Sequence, residues 1–193
     1  MRTNLRAALL VAALGFMAAT QAIGAEDELP LTGKTETLSF TTKTGSWLSV
    51  DITPDGETLV FDLLGDLYTL PVEGGNATRI TSGLGFDSQP VISPDGQMLA
   101  FVSDRSGADN LWVSRIDGSD PRKLSDEKQF GIISPAWSPD GQFVVVTKTA
   151  DEPELTLYHV AGGTGVSLSG PDDDTEVWGV GPEFSPDGRF LYF

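Results

Sequence analysis

The chain has 193 residues, enough for one ordinary domain, and it carries a formal net charge of −16. Nucleic acids and anionic lipid surfaces attract basic proteins, so this acidic balance argues against both as partners. The sequence contains no cysteine. We therefore expect a fold that is stabilised by its apolar core, without disulfide bonds.

The first 25 residues follow the order of a secretory signal peptide. Arg2 and Arg6 precede an apolar run at residues 7–20, and small residues follow at Ala22, Gly24 and Ala25. The run is shorter than the ~20 residues of a membrane-spanning helix. We expect residues 1–25 to be removed during export, which leaves a periplasmic or secreted protein with no membrane span. The alternatives are an uncleaved anchor and a buried helix.

Residues 26–46 form a lead-in to the rest of the chain. Within it, Thr37–Thr41 alternates polar and apolar residues, as a short strand does. If the fold is a ring of sheets, this strand is a candidate to close the ring by joining the last sheet.

One tetrapeptide occurs four times, and its prolines recur at intervals of 40, 45 and 47 residues. Proline presets φ for a tight turn, aspartate bonds nearby backbone, and glycine accepts positive φ. Since apolar runs flank each copy, each predicts a β-hairpin turn. The predicted turn residues are Pro54, Asp55, Gly56, Pro94, Asp95, Gly96, Pro139, Asp140, Gly141, Pro186, Asp187 and Gly188.

The repeats divide the chain into four units of β-strands. Each complete unit has four short apolar runs with turn residues between them, and the last unit stops inside its second strand. The units span about residues 47–82, 87–125, 133–169 and 178–193. A four-stranded sheet that repeats at this period predicts an all-β protein, a β-propeller with three blades and part of a fourth. A β-sandwich is the alternative fold.

The stretch from Ser93 to Val113 resembles the WD40-like Pro-Asp repeat of TolB-type propellers, and the likeness covers residues 47–193. The same repeats occur in tricorn-like and dipeptidyl-peptidase-like proteases and in exported amidohydrolases with a propeller. Val60–Pro71, with the glycine pair and Thr78–Thr81 that follow, looks most like the propeller-bearing amidohydrolases. The resemblance implies a longer parent protein, of which this chain is the N-terminal part. The first unit begins about 22 residues after the signal peptide, which leaves no room for the separate domain that precedes the propeller in TolB.

No residue of the chain is predicted to be catalytic or to bind a cofactor or a metal. His159 is the single histidine, whereas an amidohydrolase metal site needs several histidines and carboxylates. Asp172–Asp174 is interpreted as a solvated loop. Asp104 and Arg105 could pair across their connection, but an exposed pair contributes little to stability. The four tryptophans are predicted to pack between blades: Trp47, Trp112, Trp137 and Trp178.

Three functions remain open at this point. In the first, the chain is the non-catalytic propeller of an exported hydrolase, and a downstream domain, with a divalent metal such as zinc, hydrolyses C–N bonds. In the second, it is a binding module like the propeller of TolB in a Tol-Pal-type envelope system. A tricorn-like or dipeptidyl-peptidase-like serine protease is a further alternative. The expected partners are a protein or peptide, the remaining blades and the downstream domain, with no nucleic acid.

Expression in a Gram-negative host tests the signal peptide. The mature protein should start between residues 23 and 26 and should appear in the periplasm, because the signal peptidase recognises the small residues before that point. N-terminal sequencing measures this directly. A mature protein that starts at Met1 or Arg2 contradicts the prediction.

Overall fold

The computed structural model describes residues 34, 36, 38–149, 152–168 and 180–193. The signal peptide, most of residues 26–37, the acidic run Asp172–Asp174 and Trp178 lie outside these residues. The described residues form fourteen β-strands, paired in antiparallel sheets. No helix among them is long and apolar enough to cross a membrane.

Three sheets have four strands each, and a fourth sheet has two. Blade 1 contains β1 (Val50–Ile52), β2 (Thr58–Leu63), β3 (Asp66–Pro71) and β4 (Thr78–Arg79). Blade 2 contains β5 (Asp87–Ile92), β6 (Met98–Ser103), β7 (Asn110–Arg115) and β8 (Arg122–Lys123). Blade 3 contains β9 (Ile132–Trp137), β10 (Phe143–Lys148), β11 (Glu154–His159) and β12 (Val166–Ser167). Blade 4 contains β13 (Glu183–Phe184) and β14 (Leu191–Tyr192).

In every blade the strands pair in chain order. This arrangement confirms the predicted all-β fold with four-stranded propeller blades. Since consecutive strands run in opposite directions, the first strand of each blade runs towards its Pro-Asp-Gly turn. We call the end of the blades that carries these turns the turn face. The opposite end, which carries the β2–β3 and β6–β7 turns and the connections between blades, is the loop face.

The core lies between the blades, because a single sheet cannot cover both of its own surfaces. Blade 2 is enclosed on both sides. Leu99, Phe101 and Trp112 point towards blade 1, where they pack with Val60 and Leu67. The alternate residues of β6 and β7 point towards blade 3 and pack against its strands. These residues are Ala100, Val102, Leu111 and Val113. Full burial of one such large side chain contributes about 1.5–3 kcal/mol, so the contacts between blades dominate the stability.

The tryptophan predictions have mixed outcomes. Trp112 and Trp137 are buried between blades, as predicted, and the Trp137 indole N–H donates to the Val91 carbonyl at 3.1 Å. The prediction for Trp47 is wrong, since this side chain is 99% exposed. The reason is its place before β1, on the side of blade 1 where the described residues supply no neighbouring sheet.

The outer surface of blade 1 lacks the cover that blades 2 and 3 receive. Ile52 is 45% exposed, whereas Ile92 and Trp137, at the same distance before the turn proline, are 8% and 9% exposed. Leu38 and Phe40, in the lead-in, are also exposed, and residues 38–46 form no strand. The strand expected at Thr37–Thr41 is therefore not seen in its described part. Whether the lead-in closes a ring stays a prediction.

Blades 1 and 2 approach each other closely at one glycine. Gly118, in the β7–β8 turn, has φ +82, and a Cβ added there would overlap the Ile80 carbonyl oxygen. Gly56 has a similar φ, +75, with no heavy atom within 4 Å of such a Cβ. The two positions therefore share the backbone strain and differ in the clash.

Gly118→Ala should lower the free energy of unfolding by about 3 kcal/mol or more, since strain and steric overlap act together. Gly56→Ala, the matched control, should lower it by only about 1–2 kcal/mol. Denaturant unfolding of both variants beside the parent chain measures the difference. Equal losses in the two variants would contradict the close approach of Gly118 to Ile80.

Candidate functional site: the repeat turns and the loop face

Each Pro-Asp-Gly turn is built around one aspartate, as the turn of blade 2 illustrates. The Ser93 hydroxyl donates to Asp95 Oδ1 at 2.6 Å, and the Gln97 N–H donates to the same oxygen at 3.0 Å. The Gly96 N–H donates to the Ser93 carbonyl at 2.8 Å, with Gly96 at φ +72. The serine and aspartate side chains thus satisfy the backbone of a hairpin that two strands alone leave open.

The other three turns, at Pro54–Gly56, Pro139–Gly141 and Pro186–Gly188, have the same bonds. The residue before each proline donates its hydroxyl to the aspartate at 2.5 Å, 2.6 Å and 2.7 Å respectively. The glycines have φ values of +75, +68 and +68. The residues involved are Thr53 with Asp55, Ser138 with Asp140 and Ser185 with Asp187.

These bonds also settle what the turn aspartates can do chemically. The hydroxyl bond and then the backbone N–H bond lower the pKa of all four carboxyls below the ordinary aspartate value of 3.8. A carboxylate with a lowered pKa is a weak base, and a serine that donates to it is not activated as a nucleophile. These side chains therefore take part in the hydrogen bonds of the turns.

The turns also contact one another across blades. A Cβ placed on Gly96 would lie 3.2 Å from Pro54 Cδ, and one on Gly188 would lie 3.7 Å from Pro139 Cγ. Each turn glycine thus faces the proline ring of the preceding turn, and Gly141 approaches Pro94 in the same way. This row of turns forms the turn face.

Arg105 organises the loop face. Its guanidinium bonds both carboxylate oxygens of Asp87, at 2.6 Å and 2.5 Å, and lies over the rings of Phe101 and Trp112. Asp87 is almost fully buried. Arg105 does not pair with Asp104, the partner that the sequence offered, because Asp104 accepts the Phe86 N–H at 2.6 Å. A buried carboxylate draws the cation more strongly than an exposed one, since water screens it less.

Asn110 joins two connections of the loop face. Its buried side-chain oxygen accepts the Ser125 hydroxyl and the Glu127 N–H, both at 2.7 Å. Its amide nitrogen donates to the Ala108 and Glu127 carbonyls at 3.0 Å and 3.2 Å. This polar residue of the repeat therefore fixes the path of the chain from blade 2 to blade 3.

Sequence reasoning missed a set of hydrogen bonds between neighbouring blades. Gln89 and Ser134 have positive φ, +53 and +54, where β5 and β9 bulge. Asp62 accepts the Gln89 N–H at 2.9 Å, and Gln89 Oε1 in turn accepts the Ser134 N–H at 2.7 Å. The one available signal is positional, because both residues precede a proline and lie five residues before the turn proline.

The described residues contain no group of three histidine, aspartate or glutamate side chains with the spacing to hold a metal ion. His159 is exposed at the end of β11, where its Nδ1 accepts the Ala161 N–H at 2.9 Å and its ring meets Phe143 edge to face. Its surroundings are those of a turn residue.

A family model for the tricorn protease N-terminal β-propeller domain matches residues 50–193. The chain belongs to this propeller family.

Known proteins extend the comparison. An uncharacterised protein of Agrobacterium fabrum, Atu1656, is 34% identical over 189 residues, covering 85% of this chain and 59% of the relative. A putative tricorn-like protease C-terminal subunit of Sulfurisphaera tokodaii is 27% identical, covering 75% of this chain and 16% of the relative. The solved structure of a putative TolB from Agrobacterium tumefaciens superposes with a TM-score of 0.65 at 25% identity, covering 75% of this chain and 52% of that chain. The chain thus spans less than two thirds of the length of each.

The turn aspartates make the propeller's stability depend on acidity. Since its pKa is lowered in the folded state, Asp95 binds a proton less readily there than in the unfolded chain. Its contribution is complete above the ordinary value of 3.8 and disappears as the pH falls through the lower folded value.

Asp95→Asn should therefore destabilise the chain at pH 7, and the difference from the parent should shrink below about pH 4. Unfolding curves at several pH values measure this, with Ser93→Ala as the companion variant that removes the hydroxyl. The two changes should be less than additive, since they break the same bond. A gap between parent and Asp95→Asn that widens on acidification would contradict the account.

Proposed function

We propose that this chain is the non-catalytic propeller of an exported hydrolase that cleaves amide C–N bonds with a domain outside residues 34–193. The observation that carries the proposal is the engagement of the repeat's polar side chains in structural bonds. The turn serines and aspartates, Arg105, Asp87 and Asn110 all hold backbone or neighbouring blades in place. Their engagement in the fold supports a structural role for the repeat.

Family membership and the tricorn-like relative support the hydrolase half of the proposal. The sequence resemblance adds a metal-dependent amidohydrolase as the parent. Both enzyme classes break the same bond, the C–N bond of an amide, so the two lines of support converge on one reaction type. They differ in the catalyst, since an amidohydrolase needs a divalent metal such as zinc and a serine protease does not. The propeller itself would need no cofactor in either case.

The propeller's role in such an enzyme is to order the protein and to admit or hold a peptide or protein. Blade 1 leaves Ile52 and other apolar residues uncovered, and further blades would bury them. A closed ring would then present one fixed loop face to the catalytic domain or to an incoming substrate. The signal-peptide pattern of residues 1–25 supports export to the periplasm or beyond.

The second candidate function is a protein-binding propeller of an envelope system, without catalysis. The superposition on a putative TolB favours it. It requires a surface for a protein partner but no hydrolytic domain. The two candidates therefore differ in whether the whole protein turns over an amide substrate.

Activity of the full-length protein decides between these functions. By full-length protein we mean the proposed longer parent, which includes the catalytic domain. We expect it to hydrolyse chromogenic amide or peptide substrates, whereas residues 26–193 alone should not. Loss of activity with a chelator and its return with zinc would support the amidohydrolase parent, while labelling by a serine-directed fluorophosphonate would support the protease. Turnover by residues 26–193 alone would overturn the proposal, and an inactive full-length protein that captures an envelope protein would favour the binding module.

A further inference from the structure

Three large apolar side chains are exposed together on the loop face, where blade 1 meets blade 2. Leu64 is 72% exposed, Phe86 is 58% exposed and Leu84 is also exposed. Leu64 is in the β2–β3 turn, and Leu84 and Phe86 are in the connection from blade 1 to blade 2. We call these three residues the apolar loop patch. Phe130, in the connection from blade 2 to blade 3, is exposed on the same face.

Leu64 has a backbone conformation that leucine rarely adopts. Leu64 and Gly65 have φ values of +55 and +86, as in a type I′ hairpin turn, where asparagine or glycine is usual. Positive φ costs a residue with a branched side chain about 1–2 kcal/mol. The exposed side chain recovers little of this cost by packing. A strained residue that the fold does not need points to a role outside the fold.

Contacts within the fold hold Phe86 and the backbone of the patch in place. The Phe86 ring lies over Gly65, so that a Cβ added to Gly65 would lie 3.0 Å from Phe86 Cδ2. The backbone on either side is bonded, since Phe86 N–H donates to Asp104 and Asp87 N–H donates to the Gly65 carbonyl at 2.8 Å. Asp87 is in turn held by Arg105. A backbone that is already ordered loses little conformational entropy when a partner binds.

The surroundings of the patch are acidic. The basic residues near it are already paired, Arg79 with Asp66 and Arg105 with Asp87. Asp104 and Asp109, on the β6–β7 connection, form no ion pair with a described lysine or arginine. They lie close enough that Asp104 helps to raise the pKa of Asp109, after burial, which is the larger cause. Asp104 therefore borders the patch at Phe86 without a cation, and Asp109 lies next to Gly131, beside the exposed Phe130.

We propose that the apolar loop patch docks a protein segment in which leucine or phenylalanine side chains stand beside lysine or arginine. The apolar side chains would cover Leu64 and Phe86, and the cations would pair with Asp104 and Asp109. A membrane surface fits less well, because anionic lipid repels these carboxylates. The inference rests on the partner-binding role in the proposed function, and it adds the place and the chemistry of the partner.

The test uses the full-length protein and two synthetic 12-residue peptides, one of leucine and lysine and one with glutamate in place of each lysine. Leu64→Asn is the key variant, since asparagine suits the turn and the protein should unfold at the same temperature or higher. Phe86→Ser removes the second apolar group. Val72→Asn is the matched control, because Val72 is a half-exposed apolar residue at the turn-face end of β3.

Fluorescence anisotropy should show that the lysine peptide binds and that the glutamate peptide does not. Leu64→Asn and Phe86→Ser should each raise the Kd at least tenfold, Val72→Asn should leave it unchanged, and Asp109→Asn should weaken its dependence on salt. Equal binding by Leu64→Asn and the parent, equal binding of the two peptides, or tighter binding to phosphatidylcholine vesicles than to the lysine peptide would each overturn the proposal. Hydrolysis of a small chromogenic amide that has no leucine, phenylalanine or basic residue should remain at the parent rate in the same variants, because such a substrate does not need the patch. The docking site and the proposed enzyme function are therefore tested separately.

Discussion

The structure depends on one constraint, that a blade has two apolar surfaces and can bury neither by itself. Blade 2 shows the solution, with Phe101 and Trp112 against blade 1 and Val102 and Val113 against blade 3. The free energy of burial therefore belongs to pairs of blades. Polar groups at the interface follow the same logic, since Asp62 and Gln89 each accept an N–H from the inner strand of the following blade. Neighbouring blades supply both the apolar cover and the hydrogen bonds that the bulged strands lack.

The extent to which the fold could be predicted follows from the range of the interactions. The turns at Pro94–Gly96 and its equivalents depend on residues within five positions, so the sequence alone sufficed to place hairpins there. Strand alternation likewise indicated four-stranded sheets. The pairing of Arg105 with Asp87 spans 18 residues and depends on how deeply Asp87 is buried, which no local pattern reveals. The exposure of Trp47 could not be predicted for a related reason, because burial there depends on a neighbour that lies outside its own blade.

The two ends of the blades also differ in whether their interactions are local in the sequence. On the turn face, side chains of the repeat bond the backbone of their own turn, and each turn packs on the one before it. The same hydrogen bonds recur in each turn, and they join groups of the same turn. On the loop face, corresponding positions differ, as Asp104 caps Phe86 where Thr149 caps Gly131. Loops that vary over a constant scaffold are where proteins place recognition.

This division explains why strain is tolerated at Leu64. A propeller blade gains its stability from the sheets beside it, so a cost of about 1–2 kcal/mol at a turn is small against the burial of several large side chains. The positive φ of Gly56 and Gly96 lies at glycine and serves the fold, whereas the positive φ of Leu64 lies at a residue whose side chain projects into solvent. The blades thus hold the backbone of the turn in one conformation while the Leu64 side chain stays exposed. A partner that meets this side chain need not order the turn backbone first, which is the physical advantage of placing a strained residue on a stable scaffold.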